Sequence, residues 1–406
     1  MCISVCVYRC ISAFICVPPC LAFPRYNGTV KMRVAIDIRR AGDFGIGTYI
    51  RNIVNQLARQ DRATQYLLIG QPRHLDEFDK LPENFELLPN VPALGSAADR
   101  LRLPLALRHR GVDLLHLPWF QPLVFMPCPV VVTVHDLTTI LFAPKYTGMR
   151  HAVRLHLARR LFARARRILT VSQASKREIA RSFNIPESRI EVIYNAVDER
   201  FTRDPLPADA DRILERHAVN YPFVLYAGNI KPQKNLPRLI EAFAVAKAEL
   251  RDHPELSQLK LLVIGDELTK HPDLRRAVVR TRLREDVRFL GFVPLPVLRV
   301  FYARARAFLF PSLYEGFGLP PLEAMAHGTP VLTSDVSSMP EVFEDAALLV
   351  HPENVFDIAR GIRQILTDDD LRKQLIARGH AQVRKYSWPQ AAEKVRAVYQ
   401  SVVNGS

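Results

Sequence analysis

The chain contains 406 residues, of which 48% are hydrophobic and 24% are charged, and its formal net charge is +15. This balance is typical of a soluble globular protein and excludes a disordered chain or one that lies mostly within a membrane. Because a single hydrophobic core stops growing at about 250–300 residues, the length predicts two domains with a cleft between them.

Residues 1–31 form an apolar N-terminal extension that holds five of the six cysteines, so that only Cys128 lies in the remainder. The remainder therefore has no disulfide framework and is expected to be cytoplasmic. The apolar run of the extension is short for a bilayer span, and it lacks the basic start of a secretory signal. Because Met32 opens directly into a strand pattern, we favour a translation start there, with a weak membrane anchor as the second alternative.

Short runs of β-branched and aliphatic residues alternate with helical patterns along the chain. In the first half these runs lie at 32–38, 65–70, 114–119, 130–136, 167–172 and 190–195. A polar, proline-containing stretch at 201–211 interrupts the pattern, which resumes at 223–228, 260–265, 287–291, 307–312, 330–335 and 347–352. Near-continuous apolar strands separated by helices indicate parallel sheets covered on both faces. We therefore predict an α/β fold of two Rossmann-like domains, 32–203 and 204–385, facing a cleft.

Basic residues are concentrated between positions 100 and 167, where 12 Lys and Arg are accompanied only by Asp113 and Asp136. Charge alone does not choose among nucleic acid, anionic lipid and phosphorylated substrates as the partner. The stretch 150–167 predicts an amphipathic helix. Its apolar residues recur at helical spacing among arginines, and they are Val153, Leu157, Leu161 and Phe162. In the structural interpretation, this helix packs on a sheet and its arginines are solvated. In the functional interpretation, the arginines bind an anionic membrane surface.

Ligands of open α/β sheets bind beyond the carboxyl ends of the strands, so the loops after the predicted strands are the places to search for chemistry. The first such loop contains Gly45 and Gly47 just before a predicted helix. Glycines there allow backbone N–H groups to approach a phosphate, although a plain tight turn is an equal alternative. A dinucleotide site would need a third glycine where Ile50 stands, so a dehydrogenase is disfavoured.

The fourth predicted strand ends at His135, which places an imidazole at the carboxyl edge of the first sheet. A lone histidine is more often structural than functional. In the second half, the segment AGNIKPQKN at 227–235 places Lys231 and Lys234 before a helix. Two ammonium groups near a helix N-terminus suit a diphosphate leaving group, with solvated surface lysines as the alternative.

The most specific segment is FPSLYEGFGLPPLEAMAHGTPV at 310–331. It places Glu315 in a loop and Glu323 in the first turn of the following helix. The backbone amides between them, those of Phe317, Gly318 and Leu319, are candidate donors to phosphate or sugar oxygens. The two carboxylates are thus expected to bind different parts of one extended ligand, although Glu323 alone would more often cap or complement the helix.

Taken in order, these segments resemble the retaining family-four glycosyltransferases of the GT-B fold, also called glycosyl transferases group 1. The resemblance rests on the E-x7-E spacing in EGFGLPPLE, on GNIKPQKN and on the Gly-x-Gly loop. It covers nearly all of 32–400 and includes TVSQASKREI at 170–179 and YSWPQAAEKV at 386–395. The resemblance further implies that 386–406 contains a helix that crosses back onto the first domain.

The resemblance assigns roles to several of these residues. It implies that Glu315 binds hydroxyls of the donor sugar and Glu323 the ribose, while Lys234 neutralises the diphosphate near Gly45 and Gly47.

His135 would face the reacting sugar. The family often has an arginine where Asn229 stands, and Lys231 is the candidate that replaces its positive charge.

The expected activity is transfer of a sugar, with retention of configuration, from a nucleotide-sugar donor to a glycan or lipid-linked acceptor. GDP-mannose is the favoured donor, because the sequences of the motifs resemble those of transferases that build bacterial surface polysaccharides. No cofactor or metal is expected, and the run Asp368 to Asp370 is interpreted as a helix start. We expect a cytoplasmic protein, with the inner face of the cell membrane as a candidate site of peripheral attachment.

Two alternatives to this activity remain open. A GT-B epimerase or phosphorylase would share the sheets and phosphate loops, although the E-x7-E pair argues against the epimerase. The other alternative is a basic protein that binds membranes or, less favoured, nucleic acid and carries a vestigial sugar site.

Overall fold

The computed structural model describes residues 32–88, 91–121, 127–138, 148–266 and 270–405. The expectations for 1–31 therefore lie outside the described residues. Two parallel sheets, each flanked by helices, make up the described part of the chain. The predicted α/β class with two Rossmann-like domains is confirmed.

The first sheet contains seven strands within the described residues, in the order β3-β2-β1-β4-β5-β6-β7. The strands are β1 (Arg33–Asp37), β2 (Gln65–Ile69), β3 (Phe85–Leu88), β4 (Leu114–Leu117), β5 (Val130–Val134), β6 (Arg167–Thr170) and β7 (Ile190–Val192). Every pairing between neighbouring strands is parallel. Their carboxyl ends therefore meet at one edge of the sheet, where ligands of this fold class bind.

Helices cover both faces of the first sheet, because successive strand residues point to opposite faces. They are α1 (Ile46–Gln60), α2 (Ala97–His109), α3 (Met149–Arg164) and α4 (Gln173–Phe183). Val34 and Ile36 of β1 pack in the core under α1, whereas Ala35 packs in the core shared by α2, α3 and α4. The helix α1 packs on the sheet through an apolar stripe, in which Ile50, Ile53, Val54 and Leu57 are buried.

The second sheet has, in the described ranges, six parallel strands in the order β10-β9-β8-β11-β12-β13. These are β8 (Phe223–Ala227), β9 (Lys260–Ile264), β10 (Val287–Gly291), β11 (Phe308–Phe310), β12 (Val331–Ser334) and β13 (Leu348–Val350). The helices after β7 are α5 (Glu199–Thr202), α6 (Ala210–Arg216), α7 (Leu236–Glu249), α8 (Pro272–Arg280), α9 (Leu295–Arg304), α10 (Leu319–Ala326), α11 (Met339–Phe343), α12 (Val355–Thr367) and α13 (Asp369–Arg384).

The last helix, α14 (Trp388–Asn404), packs on α1 of the first domain. Trp388 is buried there, and its indole Nε1 donates a hydrogen bond of 3.0 Å to the carbonyl oxygen of Val197. The chain therefore crosses between the two domains twice, once after β7 and once before α14. In the described part of the chain, no helix is long and apolar enough to cross a membrane.

Two details differ from the sequence-based expectations, and a third agrees with them. The strand β3 was not predicted, so His135 follows the fifth strand rather than the fourth. Val153 of α3 is 50% exposed instead of joining the buried stripe, which consists of Ala158, Leu161 and Phe162. The expected helix start at Asp368 is confirmed, since its side chain accepts a hydrogen bond of 2.9 Å from the Leu371 amide.

Candidate functional site

The carboxyl edges of the two sheets meet at Gly316, in the loop between β11 and α10. A Cβ atom added at Gly316 would lie 1.8 Å from the carbonyl oxygen of His135, at the end of β5. No side chain fits in that space, so the backbone of one domain touches that of the other here. The contact places Glu315 beside the cleft wall formed by the first domain.

Lys234 and Glu315 form an ion pair in this region. Lys234 ends a 3-10 turn (Pro232–Lys234) after β8, and its Nζ donates a hydrogen bond of 2.5 Å to Oε1 of Glu315. Their side chains are only 13% and 12% exposed, and the ammonium lies 4.9 Å from the centre of the Phe310 ring. Charge-assisted bonds of this kind are strong when partly shielded from water. Two residues singled out separately in the sequence thus lie in one site.

The segment between the two glutamates presents backbone donors. The helix α10 begins at Leu319, after Gly318 at φ 94°, and the first N–H groups of a helix have no acceptor within it. Pro320 and Pro321 carry no N–H, so the donors at this end come from the residues just before them. The Phe317 side chain is buried against Tyr194 and Tyr386, so Phe317 can offer only its backbone to a ligand.

Glu323 lies in the second turn of α10, not in the first turn as the sequence suggested. Its Oε2 accepts a hydrogen bond of 3.0 Å from the Tyr302 hydroxyl. Burial raises the pKa of Glu323 to about 7, with the nearby Asp198 carboxylate acting in the same direction, while Tyr302 and Arg200 oppose the rise. The two glutamates therefore have different partners: Glu315 has an ammonium, and Glu323 has a neutral hydroxyl.

His135 is held by its own domain. Its Nε2 lies 2.9 Å from the Pro118 carbonyl oxygen, and since a carbonyl can only accept, Nε2 carries the proton and Nδ1 the lone pair. The ring meets that of Tyr49 edge-on at 4.9 Å. Burial lowers the pKa of His135 to about 4, so the imidazole is neutral near pH 7.

Behind His135, buried hydroxyl and imidazole groups connect the first sheet to α14. The Tyr399 hydroxyl lies 2.6 Å from Nδ1 of His116, whose Nε2 lies 2.8 Å from Oγ1 of Thr133. The same Thr133 oxygen lies 3.1 Å from the hydroxyl of Tyr49, the residue that contacts the His135 ring. Burial lowers the pKa of His116 to about 3, so its ring is neutral and has one donor and one acceptor nitrogen.

The remaining predicted donor-binding residues follow β1 and β8: Gly45 lies directly before α1, Gly47 in its first turn, and the others in the loop after β8. Gly45 adopts φ 68° just before α1, and a Cβ atom at Gly47 would lie 2.3 Å from the Ala41 carbonyl oxygen, so Gly47 permits a tight loop. Asn229 and Lys231 follow β8 and are exposed. Lys231 directly precedes the 3-10 turn that ends at Lys234.

Several residues of the site were missed in the sequence. Tyr302, the partner of Glu323, sits on α9 without a motif to mark it. Tyr314 and Glu178 form a hydrogen bond across the cleft, although both lie within segments already quoted for other reasons. Their adjacency in space depends on how the domains meet, and no spacing in the sequence encodes that. Within the described residues, no three His, Cys, Asp or Glu side chains converge as a metal site would require.

Comparisons with known families agree with this architecture. The family model for glycosyl transferases group 1 matches residues 209–382, and the model for glycosyltransferase family 4 matches residues 45–201. The two matches include strands of both sheets, and the chain belongs to the family-four glycosyltransferases of the GT-B fold.

Individual relatives and solved structures extend this comparison. Over 225 residues the chain is 38% identical to O-antigen chain mannosyltransferase B of Escherichia coli, covering 55% of this chain and 58% of that protein. It is 28% identical over 341 residues to O-antigen chain mannosyltransferase RfbU of Salmonella typhimurium, covering 79% and 87%. The fold is similar to that of Anabaena HepE in complex with UDP-glucose, with a TM-score of 0.71, 20% identity and coverage of 91% and 100%. The chain thus spans little more than half the length of the first of these relatives.

The raised pKa of Glu323 gives a pH-dependent stability that can be measured. The folded chain holds this proton up to about pH 7 and the unfolded chain releases it earlier, so the stabilisation is complete at low pH and is lost as pH rises through that value. We expect the unfolding free energy of the wild type, relative to Glu323→Gln, to fall from about pH 5 to pH 7, by at most about 1.4 kcal/mol per pH unit. Urea unfolding at several pH values measures this.

The matched control is Glu353→Gln, because Glu353 is an exposed glutamate of the same domain. The unfolding free energy of this variant should change with pH in parallel with that of the wild type. A parallel profile for Glu323→Gln as well would contradict the raised pKa.

Proposed function

We propose that this chain is a retaining hexosyltransferase that moves mannose from GDP-mannose to a glycan or lipid-linked acceptor during synthesis of a surface polysaccharide. The observation that carries the proposal is the Lys234–Glu315 pair beside the N-terminus of α10. The next residue, Gly316, has its backbone against the carbonyl of His135 in the first domain. A cation and free helix N–H groups at one point suit a diphosphate, and an adjacent carboxylate suits sugar hydroxyls.

In the proposed reaction, the bond between the anomeric carbon and the diphosphate oxygen breaks while the acceptor hydroxyl attacks the same face of the sugar. The acceptor proton passes to the departing diphosphate oxygen, so the configuration is retained without an enzymic nucleophile. The contribution of the protein is position and charge. Lys234 and the amides of Phe317, Gly318 and Leu319 stabilise the negative charge that grows on the leaving group.

The other side chains bind and orient the donor in this proposal. Glu315 accepts hydrogen bonds from sugar hydroxyls, and Glu323 accepts them from the ribose. The loop that contains Gly45 and Gly47 closes beside the diphosphate, with Lys231 as the second cation. The neutral imidazole of His135 faces the reacting sugar, where an uncharged ring avoids repulsion of a positively charged, oxocarbenium-like state.

The choice of mannose is supported by the names of two relatives, both O-antigen chain mannosyltransferases, and the guanine base is part of our proposal. A thermal-shift panel of GDP-, UDP- and ADP-sugars tests this choice, because a ligand that binds only the folded chain raises its melting temperature. The largest shift with a UDP-sugar would overturn the proposed donor while leaving the transfer reaction in place.

An anionic membrane surface is the proposed docking partner, which would place the protein at the cytoplasmic face of the membrane. On α3 the buried side packs on the sheet, whereas Arg159, Arg160 and Arg164 are exposed. The neighbouring α2 covers the same face of the sheet and exposes Leu101 and Leu105 at 64% and 54%. Exposed leucines beside arginines suit a surface with both an apolar and an anionic layer.

Glu315→Gln should reduce transfer by at least about tenfold to a hundredfold while the fold persists. The charge-assisted contact to Lys234 or to substrate is worth about 1.5–3 kcal/mol. Lys234→Ala should also weaken binding of free GDP, measured by calorimetry. Glu353→Gln and Lys373→Ala, both exposed, are the matched controls. Turnover of Glu315→Gln within twofold of the wild type would contradict its role, and unchanged GDP affinity would contradict that of Lys234.

Chelation should leave the transfer rate unchanged, because the proposed leaving group is stabilised by Lys234 and helix amides. The measurement is the initial rate of transfer with and without EDTA, after dialysis of the enzyme. A loss of rate that Mg²⁺ or Mn²⁺ restores would show that a cation takes part.

The wild type should bind anionic liposomes at low salt and neutral ones only weakly, with binding lost as salt is added. A basic residue near an anionic surface contributes about 1 kcal/mol, so joint replacement of Arg159, Arg160 and Arg164 by glutamine should weaken co-sedimentation strongly. Replacing Arg275, Arg276 and Arg280, exposed on α8 of the other domain, removes the same charge and is the matched control. Equal binding to both liposome types would refute the surface.

A further inference from the structure

Two side chains of the second domain hold helix α4 of the first. The Tyr314 hydroxyl donates a hydrogen bond to Oε2 of Glu178, in the middle of α4. At the start of the same helix, the carboxylate of Glu341 accepts hydrogen bonds of 2.6 Å and 2.9 Å from the amides of Gln173 and Ala174. A carboxylate at a helix N-terminus pairs with free N–H groups and with the helix dipole.

The loops that supply these contacts also hold the backbone of Glu315. Tyr314 is the residue directly before it. The hydroxyls of Ser337 and Ser338 donate hydrogen bonds of 2.6 Å and 3.0 Å to the Glu315 carbonyl oxygen, and the Glu315 amide donates to Ser337 at 3.2 Å. Both serines lie just before α11, which carries Glu341. The hydrogen bonds to α4 and those that hold the Glu315 backbone therefore come from the same two loops.

The loop that contains Tyr314 also contacts the segment after β5. The Leu137 amide donates a hydrogen bond of 3.3 Å to the Tyr314 hydroxyl, and the backbone of Gly316 lies against the His135 carbonyl. The residues on both sides of Glu315 thus contact the segment that contains His135.

The Tyr314 hydroxyl is suited to this task. Burial and the Glu178 carboxylate both raise its pKa, so it keeps its proton and acts as a donor. Burial likewise raises the pKa of Glu178, while the bond from Tyr314 opposes that rise. The hydrogen bond is therefore partly shielded from water.

We propose that Glu178 and Tyr314 are positioning residues of the transfer reaction, which hold Glu315 and its partner Lys234 against His135 when the domains are closed. They act through backbone and domain position and do not contact the substrate. This inference rests on the proposed function. A displacement of about 1 Å in a reacting geometry can lower the rate about a hundredfold, so loss of this contact should reduce turnover.

The test uses Glu178→Ala and Tyr314→Phe in the full chain, with Glu178→Gln as the conservative variant and Glu187→Ala as the control. Glu187 is an exposed glutamate just beyond α4. We expect kcat to fall about tenfold to a hundredfold in the first two variants, while the dissociation constant for free GDP stays within twofold. The amide oxygen of Glu178→Gln still accepts from Tyr314, so that variant should retain most of the activity, and Glu187→Ala all of it.

A second measurement does not depend on transfer. Hydrogen exchange at the Leu137 amide should be faster in Tyr314→Phe and Glu178→Ala than in the wild type, because the tyrosine hydroxyl is lost or released. If the wild type transfers no sugar, the proposed function fails, and the exchange rates still test the contact. Unchanged exchange, a kcat within twofold of the wild type, or a GDP affinity that falls in step with kcat would each overturn the positioning role.

Discussion

The close approach of the domains at Gly316 is the constraint on which the candidate site depends. A single methyl group at Gly316 would collide with the carbonyl oxygen of His135, and this carbonyl, directly after β5, cannot move far without disturbing the end of that strand. Any larger residue there would hold the domains apart. Glu315 and His135 would then no longer line the same narrow cleft, although each would keep its place within its own domain.

The two glutamates of the E-x7-E pair occupy different electrostatic settings although they lie on one loop and helix. Glu315 faces the Lys234 ammonium at 2.5 Å, so its negative charge is compensated in place. Glu323 is held by the Tyr302 hydroxyl, and its burial raises its pKa. A carboxylate whose pKa lies near 7 gains most from ligand hydroxyls that donate to its charged form.

Sequence patterns predicted the fold well because apolar periodicity reports burial directly. Every predicted strand is present, and the one omitted strand, β3, is a short edge strand whose sequence FELL includes the exposed Glu86. The buried face of α3 was harder to predict, because Ala158 and not Val153 packs on the sheet. The motif loops indicated the candidate residues of the site. The pairs that assemble it, Lys234 with Glu315 and Tyr314 with Glu178, could not be predicted, because they form only when distant elements meet.

The position of His135 depends on the end of the chain as well as on its own strand. Tyr399 on α14 starts the series of contacts through His116, Thr133 and Tyr49 that ends at the His135 ring. The helix α14 therefore supports the first domain, although the chain reaches it from the second. The chain therefore joins the two domains at two points, once after β7 and once before α14.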